Sequence, residues 1–133
     1  MKPSAETMMA FYQQLGRVFY GVANADGTVR KEEEQKLDEL VKNYWVPQEN
    51  TFDEFHTDSA YQIEIVFSWL EENDWNKDHI LADFKDFTEE HPSLFTSKNR
   101  QMIMETAEYI ADAFHHMNQK EVKFLTELGH ILT

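Results

Sequence analysis

Apolar residues recur at three- and four-residue steps along nearly the whole chain, a period that α-helices satisfy and strands do not. Met8, Phe11, Leu15, Val18 and Val22 form one stripe, which predicts a first helix from about Ser4 to Ala23. Leu37, Leu40, Val41, Tyr44 and Trp45 predict a second, with Glu32, Glu33 and Glu34 in its first turn and Pro47 at its end. The stretch 48–57 has no period and reads as a connection. A third helix over about 58–73 is apolar over most of its girth: Ile63, Val66, Phe67 and Leu70 form one face, and Tyr61, Ile65 and Trp69 widen it. Such a helix is expected at the centre of a bundle. Asn76 can cap a fourth helix carrying Ile80, Leu81, Phe84 and Phe87, which His91-Pro92 stops. A fifth, over about 97–115, carries Ile103, Ala107, Ile110, Ala111 and Phe114. The last carries Val122, Leu125, Leu128 and Ile131. Four glycines and three prolines are too few for the turns of a β-sandwich. The expected fold is an all-α bundle of about six to seven helices, with residues 1–133 forming one domain.

The formal net charge of −13 repels phosphate backbones, and the 12 basic residues never form a run of three. Nucleic acid is therefore not an expected partner, nor is an anionic membrane surface. Cations and basic protein surfaces suit this field better, although an acidic solvated face has the same composition. No segment has the length and apolarity of a membrane span, since Gln62, Glu64 and Ser68 interrupt the most apolar stretch. The first residues lack the apolar core of a signal peptide, and the expected location is cytoplasmic. With no cysteine there is no disulfide, no thiolate metal site and no thiol nucleophile.

The chain also repeats itself. A shift of 88 residues places Val22 on Ile110, Ala23 on Ala111, Asn24 on Asp112 and Ala25 on Ala113. The same shift places Glu33 on Glu121, Leu37 on Leu125 and Leu40 on Leu128. Each copy reads as helix, short polar turn, helix, so two pseudo-symmetric hairpins are expected. The segment Ala23-Asn24-Ala25-Asp26-Gly27-Thr28-Val29, followed by Glu32-Glu33 and Leu37, resembles the Ala-Asp-Gly turn of the TerB-like (tellurite-resistance protein B) family. The sharp motif covers the first turn, and the second turn is a weaker echo. The resemblance implies an all-helical fold with two such turns, and acidic side chains that gather between them and hold a divalent cation such as calcium. Carried onto this chain, the implied ligands are Asp26, Glu33, Asp112 and Glu121, with Asn24 as a neutral oxygen donor. The second copy replaces Asp26-Gly27 by Phe114-His115, and Arg30 stands where the family favours a Ser-like cap.

The residues themselves leave several readings open. Gly27 supplies the positive φ that a reversal between helices needs. Asp26 can hold a cation or bond the backbone of its own turn. Asn118-Gln119-Lys120-Glu121 has capping-box spacing, so Glu121 can serve a helix start instead of a metal. An EF-hand alignment puts Val22 at the first ligand position, where it cannot ligate, and the loop alone offers too few oxygens. Asp53…His56, Asp112…His115 and Glu127…His130 have the carboxylate-x-x-His spacing of di-metal bundles. With 25 acids and six histidines, such spacings arise by chance, and His115 and His116 near a helix end have an electrostatic reason to be there. No nucleotide-binding glycine loop, Gly-x-Ser-x-Gly or His-Glu-x-x-His motif is present. Trp45, Trp69, Trp75, Met102 and Met104 read as core or rim residues. The function expected is a non-enzymatic acidic binding module of the TerB-like type that binds a divalent cation at the Asp-Gly turn, is linked to tellurite or stress resistance as the resemblance implies, and has another protein as partner. The alternatives are an interaction domain whose metal site has decayed, and a metal-dependent enzyme.

Overall fold

The computed structural model describes residues 4–49, 59–73, 79–113 and 118–133. The expected contributions of Asp53, His56, Trp75, Asn76, Phe114, His115 and His116 lie outside them. The described residues form helices α1 (Ala5–Ala23), α2 (Lys31–Leu40), α3 (Val46–Glu49), α4 (Gln62–Glu72), α5 (Ile80–Glu90), α6 (Ser97–Ala111) and α7 (Gln119–Leu132), with no strand among them. The all-α expectation holds.

Helix α1 starts where Ser4 Oγ accepts the Thr7 amide at 3.0 Å. It packs against α4, α6, α5, α7 and α2, and its buried residues run from Met8 to Ala23. The centre of the bundle is therefore α1 and not the helix over 62–72. In α4 the stripe Ile63, Phe67 and Leu70 is buried, whereas Ile65 is 56% and Trp69 51% exposed. An apolar girth does not by itself make a helix central. The chain has one helix, α1, that can be wrapped on most sides, and α4 covers only one of them.

Two glycines of α1 set how closely the other elements approach. A Cβ at Gly16 would stand 2.8 Å from the Ile63 carbonyl oxygen and 2.9 Å from Val66 Cβ, so α1 and α4 cross nearly backbone to backbone. At Gly21 the Phe124 ring occupies the equivalent space.

Pro47 does not end the second helix. Val41–Trp45 is one π-helical segment, and the turn Val46–Glu49 continues from it. Pro47 falls just after the π segment, in the turn that continues from it. The widened segment carries Trp45 into the core, where its Nε1 donates to Thr106 Oγ1 at 3.0 Å. Its ring meets Phe11, Tyr12 and Phe19 with centroids 6.3 to 6.5 Å apart. His91-Pro92 ends α5 as expected, through a 3-10 turn at Pro92–Leu94. In α7 the buried register is Glu121, Leu125, Leu128 and Leu132, while Val122 is exposed and Ile131 half-buried. The expected stripe is thus one position off at both ends.

Gly16→Ala should cost about 1–3 kcal/mol by overpacking the α1–α4 crossing. Gly129→Ala, whose new methyl would meet only Met104 Cε at 4.0 Å, should be neutral or stabilise by up to about 1 kcal/mol. Urea denaturation of both variants checks the contrast.

Candidate functional site

The repeat seen in the sequence is a repeat of structure. Asn24 and Asp112 cap the C-termini of α1 and α6 with the same pattern, their amides reaching the carbonyls four and two residues back. The Ala25 and Ala113 amides then bond to Val22 and Ile110. After each turn a new helix begins with an inward glutamate at its third residue. Glu33 Oε1 accepts the Arg30 amide at 2.8 Å, and Glu121 Oε1 accepts the Asn118 amide at 3.0 Å. At Asn118 the box is complete, since its Oδ1 accepts the Glu121 amide at 2.9 Å. At Arg30 only half can form, because a guanidinium has donors alone; the Glu33 amide bonds to the Arg30 carbonyl instead.

Both glutamates are buried, Glu33 at 2% and Glu121 at 4% exposure, and the two side chains are hydrogen-bonded to each other. Burial is the largest force on Glu33 and pushes its carboxyl up to about 8; the Arg30 amide opposes this, and the negative charges of Glu121 and Asp26 add to it. Two carboxyls in contact inside a core cannot both ionise cheaply, so at neutral pH the pair retains a proton. The formal charge of −13 counts Glu33 as ionised and so overstates the charge of the folded protein.

Asp26 stands beside this pair. Its Oδ1 accepts the Thr28 amide at 3.1 Å, which is the Asx turn that the Asp-Gly sequence suggests. Its Oδ2 accepts Asn118 Nδ2 at 3.0 Å and lies 3.8 Å from Arg30 Nη2. One aspartate of the first turn is thereby tied to the cap of the second hairpin. Gly27 has φ 91°, the left-handed conformation expected of it.

The structure therefore brings together Asp26, Glu33 and Glu121. Asn24 sits at the same turn with its amide on the Tyr20 hydroxyl, 2.9 Å away. Asp112 is exposed at the end of α6. Glu127 and His130 are both exposed on α7. Val22, the first position of the EF-hand alignment, is fully buried and apolar. The residue that the sequence reading left in a capping role only, Asn118, is the bridge between the two turns. Its signal was present, since the 88-residue shift maps it onto Arg30, the position of the missing Ser-like cap.

A second set of acids lies between α2 and α4. Glu64 is pushed up to about 7, first by burial and then by Asp38. Glu71 is raised by burial and by Glu34, to which it is hydrogen-bonded, and Asp38 by burial and by Glu34.

The donor chemistry of Asp26, Glu33 and Glu121 suits a hard cation, being all carboxylate oxygen. Against this, each glutamate spends one oxygen on a cap and Asp26 faces a guanidinium. Among the described residues, no three Asp, Glu or His groups are arranged to hold a metal ion. No described helix is long and apolar enough to cross a membrane.

Two helical hairpins with matching turns and inward acids define an all-helical module. A family model described as tellurite resistance protein TerB matches residues 13–133, nearly the whole chain, and the chain belongs to the TerB family. No curated protein and no solved structure matches it significantly.

The raised carboxyls set a direction for pH. Glu33 is neutral when folded and ionised when unfolded over the interval between 4.5 and about 8, so folding takes up a proton there. Its contribution to stability is full below the unfolded value and is lost as pH rises through about 8. The wild type should therefore lose stability from about pH 5 to about pH 9 in chelator-treated samples. In Glu33→Gln the amide can keep the cap and donate to Glu121, so the slope should flatten and stability at about pH 9 should rise. Chemical denaturation across the range measures both.

Proposed function

We propose that this chain is a non-enzymatic, cytoplasmic binding module of the TerB type, in which the carboxyls of Asp26, Glu33 and Glu121, near one another but not set as metal ligands, close on a divalent cation such as calcium in place of a proton. The observation that carries the reading is the buried pair. The charges that act on Glu33 are those of other acids, and only a backbone amide opposes them. Carboxyls placed that way need a proton or a cation, and the ion would supply the positive charge that lets both ionise while buried. Asn118 and the Thr28 amide hold Asp26 in place beside them. Arg30 is the competing cation, near enough to Asp26 to weaken the site. Lacking any thiol, the chain has no group that would reduce tellurite directly, so a part in resistance would run through binding, with another protein as partner.

A second reading has its own observation. Both glutamates already serve as helix caps, so the acids can be a proton-sharing latch in an interaction domain that binds no metal.

Thermal unfolding of chelator-treated protein, with calcium, magnesium, manganese or zinc added singly, separates the two. A cation that binds only the folded state adds about 2.7 kcal/mol at a hundredfold excess over Kd. The expected result is a selective rise in Tm that disappears in Asp26→Ala and Glu33→Gln. Arg30→Ser, which removes the competing charge and adds a cap, should enlarge it. Equal behaviour of wild type and variants with every ion would reject the cation site in favour of the latch.

A further inference from the structure

A groove of about 380 Å³ runs between α1 and α4, away from the acid cluster. Gln13 and Arg17 line it on α1, and Gln62, Ile65, Val66 and Trp69 on α4. Its floor is fixed by the close crossing at Gly16. Its outer side is open, since Ile65 and Trp69 are more than half exposed. Two large apolar side chains one helical turn apart on an otherwise well-packed bundle form a patch of the kind that partners cover.

Arg17 gives the groove a sign. It is half-buried, and among the described residues the ion pairs are Arg30 with Asp26 and Lys36 with Glu39. Thus Arg17 meets no carboxylate of the described residues, in a chain with 25 acids and 12 basic residues. A guanidinium flanked by apolar walls presents forked donors to a carboxylate or a carbonyl. At one end, Gln13 Nε2 donates to Gln62 Oε1 at a long 3.4 Å, which leaves amide groups free to pair with a peptide backbone.

We propose that the α1–α4 groove docks a peptide segment of a partner protein in which a large apolar side chain neighbours a carboxylate. The apolar side chain lies against Ile65, Val66 and Trp69, and the carboxylate meets Arg17. A peptide suits the groove better than a small molecule does, because small ligands are held in clefts that enclose most of their surface. The protein's own field makes the proposal discriminating. A net charge of −13 attracts basic peptides and repels acidic ones over long range, so an acidic preference can come only from a local group.

The test is an array of capped decapeptides that combine Leu, Phe or Trp with Asp, Asn or Lys at neighbouring positions, probed with the whole protein. The strongest peptides are then titrated by fluorescence anisotropy. The expected result is a preference for Asp over both Asn and Lys. Arg17→Gln should weaken the best Asp peptide about tenfold while leaving its Asn analogue unchanged. Trp69→Gln should weaken both, with melting temperatures showing that each variant remains folded. If Arg17→Gln lowers the melting temperature, the Trp69 variant and shifts of the Trp69 indole resonance on titration carry the test. A preference for Lys, binding that ignores both substitutions, or no binding by any Asp peptide would overturn the proposal. If Arg17 only covers apolar surface with its stem, Asp and Asn peptides would bind equally, which also rejects it.

Discussion

The burial of α1 is the constraint from which the rest of the molecule follows. Amphipathic helices cannot hide their apolar faces alone, and this chain gives them one common surface to share. Helices α4, α6, α5, α7 and α2 all pack on it. Its aromatic residues interlock with Trp45, Phe67 and Phe95 at ring distances of 5.6 to 6.5 Å, which fixes how those helices sit around the axis. Its two buried glycines decide where the packing is closest. The π segment that follows α2 serves the same end, since it brings Trp45 and its one polar atom to Thr106.

Against this apolar frame the two inward glutamates are an expense. Each stands in the buried stripe of its helix, in line with Leu37 or Leu125 one turn on. A capping box explains why a glutamate should stand at the third residue of a helix. It does not explain why both should be buried and in contact, since capping works at the surface. A proton or a cation shared between the hairpins resolves the conflict, and it ties the stability of the α1–α2 and α6–α7 hairpins to solution chemistry. The family match spans both hairpins, and the two turns between their helices set Asp26, Glu33 and Glu121 near one another.

Much of this was legible in the residues. Helical period marked each of the major helices, because burial on one face leaves a trace at every third or fourth position. The 88-residue repeat paired Asn24 with Asp112 and Glu33 with Glu121, and the structure gives each pair one local role, C-caps for the first and inward glutamates at the third helical residue for the second. The readings that failed concern which way a face points. Ile65 and Trp69 look like core by hydrophobicity, yet α4 turns Ile63, Phe67 and Leu70 inward and leaves these two more than half exposed. Val122 looks like core by spacing, yet the register that puts Leu125 and Leu128 inward also takes Glu121 inward and turns Val122 out. Pro47 looks like a stop, yet the helical path runs through the π segment and past it.

The sequence by itself determined the helical class, the two related hairpins, the left-handed turn at Gly27 and the family, because each depends on contacts within a few residues or on a pattern repeated along the chain. Only the tertiary structure decided that Asp26 would meet Asn118, that Glu33 and Glu121 would share a hydrogen bond, and that Arg17 would face an apolar groove without a described carboxylate. Those outcomes depend on how helices distant in sequence dock around α1. Docking is set by side-chain volume and by close approach at glycines such as Gly16, quantities that a hydrophobic period does not encode.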